Sequence, residues 1–320
     1  MRMTTTASRR ARPAAVAAAA ILISMAVSAA CTQSARADWR KDLGAFRIGI
    51  SATDAKSLSA AETDRLTAGY SAALGMPVEV VILRDYPALI DAQVSSRIEY
   101  AIYSSASYAA AWLLCECVEP LAAPVQTNGA TGIRSILVMN ASAIFTRLDL
   151  NGIKIGIPGQ DSISGFAVPL AEYALGTRAL APDEKFFSAY PGMADTVSAF
   201  ADGRIDGFFG WSFADESGAV KGSGIMGTGT DAFFSVGGKT LETKIPWTSS
   251  LLRYGPHAVR RSLDAEAKSA LRNYLQALGA EQIDVLSILP PNDVARFTPV
   301  SQEEYRSAIA AVKAAANAAD

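Results

Sequence analysis

The stretch DSISGF, residues 161–166, sets two serine hydroxyls and a glycine between the strand-like run IKIGIP and the helical run AVPLAEYALG. Serine is a strong helix N-cap, and glycine lets the backbone approach a bound group closely. Amides at a helix start carry partial positive charge, so Ser162, Ile163, Ser164 and Gly165 could hold an oxyanion without any lysine. An ordinary capped helix uses the same residue types. Three more turns follow strand-like runs: ISATDA, RDYPAL and YSSASY, which bring Tyr86, Tyr103 and Ser104 to comparable positions. Open α/β sheets bind ligands beyond the carboxyl ends of their strands, where four such turns would gather.

Other chemistry is thin. His257 is the single histidine and lies far in sequence from these serines. No nucleophile, base and orienting group can be assembled, and DSISG lacks the first glycine of a nucleophile elbow, so no enzyme is expected. GSGIMG, residues 222–227, fits the dinucleotide spacing, but no convincing strand precedes it and no helix follows, so it reads as a flexible loop and no cofactor is expected. Metal binding through histidine is unsupported. Cys115 and Cys117, one residue apart in WLLCECVEP, would lie on opposite sides of an extended chain. They are either two half-buried thiols or a thiolate site for a soft metal or metalloid. If SASYAAAWLL is a helix beginning near Ser105, Cys115 sits roughly 15 Å from its start, away from the turns.

The elements that must position these groups alternate. FRIGI (46–50), VEVVIL (78–83), IEYAIY (98–103), SILVM (135–139), IKIGI (153–157) and IDGFFGW (205–211) read as short buried strands. Helical runs such as SAAETDRLTAGYSAALG and YPALIDAQVSS lie between them, which implies parallel sheets covered by helices. The order strand, helix, strand, helix, strand runs to about residue 125 and again from about 150 to 212, so two α/β lobes with a cleft between them are expected. After residue 255 the chain turns helical, with LDAEAKSALRNYLQALG capped by Gly279 and then QEEYRSAIAAVKAAANAA. Phe208, Phe209 and Trp211 could face the cleft, or be buried strand aromatics.

Composition bounds the class. The chain of 320 residues is 50% apolar and 19% charged, as in ordinary globular proteins. Residues 1–37 stand apart: Arg2, Arg9, Arg10 and Arg12 precede the apolar run AAVAAAAILISMAVSAA, and Ala35-Arg36-Ala37 offers a small-x-small cleavage site. This is an export signal cut after Ala37; a lipid anchor on Cys31 is the rival, with Ser28 where such signals usually carry Leu. Cleavage removes five of the 29 basic residues and none of the 31 acidic ones, leaving a net charge of −7 and excluding a nucleic-acid partner.

The series RDYPALIDA, AIYSSASYAAA, VEPLAAPV, GIRSILVMN, LDLNGIKIGIPGQDSISGFAVPLAEYAL and MADTVSAFADGRIDG resembles the phosphate, phosphite and phosphonate periplasmic substrate-binding proteins of ABC transporters, over roughly residues 45–300. The resemblance implies two α/β lobes joined by two crossing strands, with the ligand in the interlobe cleft and closure on binding. The expected lobes are residues 44–140 with 248–320, the latter ending in C-terminal helices, and residues 141–247. Tyr86 matches the tyrosine that contacts ligand from the first lobe and Tyr103 the aromatic at the end of the third strand. Ser162 and Ser164 match the outer members of a Ser-Thr-Ser anion clamp, with Ile163 in the middle. Met193 falls where phosphonate binders often place a histidine, and Trp247 where some hold an amine with an acid.

A pocket so poor in donors makes an aminoalkylphosphonate a poor match, since each unmatched buried partner costs about 1–3 kcal/mol. The expected ligand is a small oxyanion or a neutral oxyacid. The expected partner is an ABC permease, or alternatively a membrane sensor kinase responding to an arsenite-type oxyacid, and the protein is expected to be a periplasmic monomer.

Overall fold

The computed structural model describes residues 38–319 apart from 56–57, 145–149, 151, 224–232, 237, 282 and 291–292. The export signal and Cys31 lie outside the described residues, as do Ile225, Met226 and Gly227 of GSGIMG. Residues up to Leu43 form a unit of their own, in which the helix Trp39–Leu43 places the Arg40 guanidinium 4.5 Å from the Trp39 ring centre. The second unit, Gly44–Asp320, holds everything below. No helix among the described residues is long and apolar enough to cross a membrane.

The first sheet begins as expected. β1 (Phe46–Ser51), β2 (Val78–Leu83) and β3 (Tyr100–Ile102) run parallel, with Ile48 opposite both Val80 and Tyr100. α1 (Ala60–Leu74) connects the first two strands: Ser59 and Glu62 form a capping box, and Gly75 at φ 65° closes the end. α2 (Tyr86–Val94) starts on the Asp85 carboxylate, which accepts from the Ala88 amide at 2.8 Å. α3 (Ser105–Cys115) starts on Ser104 and leads to β4 (Val118–Gln126).

β5 (Gly132–Asn140), which the sequence alone would assign to the first lobe, belongs to a second sheet. There β6 (Ile155–Ile157) is followed by a wide helical turn at Ile163–Ala167 and by α4 (Val168–Glu172). The hairpin of β7 (Ala174–Leu175) and β8 (Arg178–Ala179) occupies the end of AVPLAEYALG, so that run is helical only to Glu172. β9 (Phe187–Ala189), α5 (Met193–Ala201), β10 (Gly207–Ala214), β11 (Val220–Ser223), β12 (Phe233–Val236) and β13 (Lys239–Thr248) complete the second half.

The chain then returns through β14 (Leu252–Arg253) to β15 (His257–Arg260), α6 (Ala265–Glu281), α7 (Ile283–Leu286), β16 (Val294–Pro299) and α8 (Arg306–Ala319). The first sheet is ordered β16-β4-β15-β3-β1-β2 and the second β12-β13-β5-β10-β6-β9, with β11 on β10 and β14 on β5. Both are mixed rather than parallel, because the return strands enter antiparallel: β15 against β3 and β4, β13 against β5.

Alternation sorts the aromatics of β10 as period two requires. Phe208 is buried with Val197, Phe200 and Ile205, and Phe209 on the other face with Phe166, Tyr173 and Trp247. Gly279 does not cap α6; the helix continues to Glu281, and a Cβ at Gly279 would stand 2.8 Å from the Ala295 carbonyl oxygen. Close packing on β16 needs this glycine. α8 touches both halves, with Ala311 in the core of the second and Ile309 against that of the first.

His257 is fully buried in β15, its Nδ1 bonded to the Tyr100 hydroxyl. Burial pushes its pKa from 6.5 down to about 3. Between those values the unfolded chain binds the proton and the folded chain does not, so stability is lost as pH falls from 6.5 toward 3. Denaturant titrations should show this loss, about 3–5 kcal/mol in full, and a shallower slope in His257→Asn. Equal slopes would mean that the imidazole is not buried neutral.

Candidate functional site

The carboxyl ends of β1, β2 and β3 point to one edge of the first sheet, and the turns that follow them meet the second half there. Together they enclose a cavity of about 360 Å³ lined by Asp54, Tyr86, Ile102, Tyr103, Ser104, Ser105, Ala106, Ile133, Asp161, Ile163, Leu252, Arg253, Tyr254, Gly255 and Pro290. Four of the expected site residues, Tyr86, Tyr103, Ser104 and Ile163, share it.

Each lining group has a local cause. Asp54 sits on the turn after β1, whose Asp54 and Ala55 amides donate to the Ser51 carbonyl. Tyr86 opens α2 and donates its hydroxyl to both carboxylate oxygens of Asp54 at 3.0 Å. Burial raises the Asp54 pKa against the lowering effect of that bond. Tyr103 follows β3, is 3% exposed, and its hydroxyl has no partner among the described residues. Ser104 is occupied by its own helix, accepting from the Ser107 amide at 3.1 Å, whereas the Ser105 Oγ is buried with no partner among the described residues. Arg253 is 4% exposed; its Nη1 reaches Glu216 at 3.0 Å and its Nη2 Glu304 at 2.9 Å, while its Nε is unpartnered.

The DSISGF turn is built differently from a ligand clamp. The Ser162 Oγ accepts from the Gly165 amide at 3.0 Å, and the Ser162 carbonyl from the amides of Phe166 and Ala167. A Cβ on Gly165 would stand 2.2 Å from Pro158 Cγ, so packing explains this glycine. Ser162, Ser164 and Gly165 are not among the residues lining the cavity. Met193 begins α5 and packs against the cluster around Phe208, and Trp247 is core, 5.3 Å from the Tyr173 ring and 5.8 Å from that of Phe209. Cys115 and Cys117 form a disulfide, a correction to the thiol and thiolate readings. Glu116 between them is left-handed at φ 50°, which turns both side chains to one side of the chain. Among the described residues no group of three or more His, Cys, Asp and Glu side chains could hold a metal ion.

A larger hollow of about 780 Å³ adjoins the other side of Arg253, but its polar groups satisfy each other. Glu172 accepts from the Ser250 amide at 2.7 Å and from the Ser307 hydroxyl, Arg306 pairs with Glu303, and Arg253 with Glu304. The smaller cavity, with unmet donors, is the better site. Asp54, Ser105 and Asp161 lay in turns that the sequence singles out, but as side chains they gave no signal. Arg253 and Tyr254, on the return crossing, gave none at all.

Residues 48–305 match the family model described as ABC transporter, phosphonate, periplasmic substrate-binding protein. The chain belongs to that family. Its members are periplasmic binding proteins that serve ABC transporters, the role this chain shares. No curated protein matches the sequence. Among solved structures, a Xanthomonas citri protein bound to ATP aligns at 12% identity over 87% of this chain and 98% of its own, with a TM-score of 0.59. A Mycoplasma hyorhinis protein, p37, described as a candidate thiamine pyrophosphate transporter, aligns at 9% identity over 83% and 98%, with a TM-score of 0.56. The binding component of an ABC phosphonate transporter from Pseudomonas aeruginosa aligns at 20% identity over 82% and 83%, with a TM-score of 0.44. At these identities the first two likenesses support the fold alone.

The cavity depends on one close passage. A Cβ on Gly255 would stand 1.8 Å from the Tyr103 carbonyl oxygen, and the Tyr103 amide donates to Pro256 at 3.1 Å. Gly255→Ala should therefore lower stability by about 1–3 kcal/mol in thermal unfolding. Gly192→Ala, with nothing within 4 Å of the added methyl, is the control and should lower the midpoint less, by no more than the loss of a glycine N-cap on α5. Equal midpoints for both variants would refute the passage.

Proposed function

We propose that this protein captures a small oxyanion in the cavity between its two sheets and presents it to an ABC permease. The observation that carries the reading is that three residues lining one cavity, Tyr103, Ser105 and Arg253, each bury a donor (hydroxyl, hydroxyl and Nε) with no partner among the described residues. Buried donors without partners are destabilising by about 1–3 kcal/mol each, and an oxyanion would satisfy all three. α3 adds the partial positive charge of its first turn at Ser105 and Ala106.

The lobes in this reading meet at two crossings, residues 127–131 and 249–256, and close by rotation about them, so that the permease recognises the closed form. Export through the signal at residues 1–37 delivers the chain to the periplasm, where it works as a monomer, without cofactor or catalysis. Family membership favours a permease over a sensor kinase as partner.

Calorimetric titration with methylphosphonate and phosphite tests the site. Tyr103→Phe with Ser105→Ala should weaken whichever oxyanion binds by more than tenfold while leaving the protein folded, with a thermal midpoint no lower than that of the wild type. Unaltered affinity in a folded double variant would place the site elsewhere.

A further inference from the structure

Outside the cavity, one motif has no part in ligand capture. The Cys115–Cys117 disulfide has a sequence separation of 2, and the entropy that a cross-link removes from the unfolded chain grows with the loop it closes. So short a loop adds little to the fold. Backbone bonds already pin the segment, since the Glu116 amide donates to the Trp112 carbonyl and the Arg261 amide to that of Cys117, each at 2.7 Å. Both cysteines are half-buried, Leu113 and Leu114 just before them are 39% and 66% exposed, and Glu116 is exposed. A thiolate can reach the bond from solvent.

The surroundings serve the reduced pair as well as the oxidised one. The Cys117 amide donates to Cys115 Sγ at 3.1 Å, which stabilises charge on that sulfur as it leaves. Cys115 Sγ also lies 3.5 Å from the Ala111 carbonyl oxygen, a contact that a thiol can use as donor and a disulfide sulfur, having no hydrogen, cannot. Cations stand close by. Val118, next in the chain, lines a cleft of about 280 Å³ with Arg261 and Arg272. Glu119 there is shared by Lys268 at 2.7 Å and Arg272 at 2.8 Å, and Arg261 has no ion pair among the described residues. Positive charge favours a thiolate, against the opposing field at the carboxyl end of α3. We propose that Cys115 and Cys117 are a thiol–disulfide exchange site that accepts electrons from a protein dithiol, whose surface the two exposed leucines would meet. A thiolate of the dithiol attacks Cys117 Sγ, the S–S bond breaks, and Cys115 leaves as thiolate. The second thiol then attacks the mixed disulfide, freeing Cys117 and closing the partner's own disulfide. Two electrons pass, and the two protons of the dithiol end on Cys115 and Cys117. The site lies at the far end of the 11-residue α3 from Ser104 and Ser105, so it stands apart from the oxyanion reading.

Glutathione, as a thiol probe, tests this on the mature protein. After equilibration across a series of reduced-to-oxidised glutathione ratios, acid quenching and alkylation, mass spectrometry counts the free thiols. The pair should open in folded protein, with both thiols appearing together. The double variant Cys115→Ser, Cys117→Ser should stay folded, with a thermal midpoint close to that of the wild type. Among the single variants, the Cys115 thiol left by Cys117→Ser should alkylate at lower pH than the Cys117 thiol left by Cys115→Ser, because only Cys115 receives the amide. Alkylation in the reverse order would overturn Cys115 as the leaving group and the mechanism with it. A bond that stays closed at every ratio, opens only where the protein unfolds, or costs the double variant its fold is a structural staple, and any of these results would overturn the exchange site.

Discussion

The structure turns on a steric constraint where the chain returns from the second sheet to the first. Residues 252–256 must lie against two backbones at once. A Cβ on Gly132 would stand 2.1 Å from the Leu252 carbonyl oxygen, and one on Gly255 1.8 Å from that of Tyr103. Two glycines thus allow a strand from each half to press on the crossing, with Leu252 opposite Ile133 and the Tyr254 amide donating to Thr131. Because the crossing also carries Arg253 and Tyr254, the residues that join the halves are the ones that line the cavity.

Electrostatics completes the arrangement. Arg253 is held from both sides, by Glu216 in the turn between β10 and β11 and by Glu304 just before α8. A buried guanidinium with two carboxylates is stable as a group, and breaking it by removing one member would be strongly destabilising. Its Nε has no hydrogen-bond partner among the described residues. Burial raises the pKa of Asp54 against the hydrogen bond from Tyr86.

Much of the fold was legible because it rests on local signals. The helical run SAAETDRLTAGYSAALG and the apolar strands of the first sheet are one-dimensional patterns, and the structure bears them out. The antiparallel entry of β13, β15 and β16 was not legible, since register across a sheet is set by partners far along the chain. Nor was the Cys115–Cys117 disulfide, which depends on a left-handed Glu116 that no propensity announces. Of the expected site residues, Tyr86, Tyr103, Ser104 and Ile163 line the cavity, while Ser162, Ser164 and Gly165 do not. DSISGF looked like a clamp by type and spacing, yet Ser162 satisfies its own turn and Gly165 serves Pro158. That the Ser105 hydroxyl is buried without a partner among the described residues is a three-dimensional fact with no counterpart in the sequence.

The central claim is that the two halves pivot on the crossing strands to enclose a solute held by groups from both. Small-angle scattering of the mature protein, with a solute whose binding calorimetry has established, measures this directly. The account predicts a smaller radius of gyration on saturation, retained in Gly192→Ala. A radius unchanged by saturating solute would contradict it.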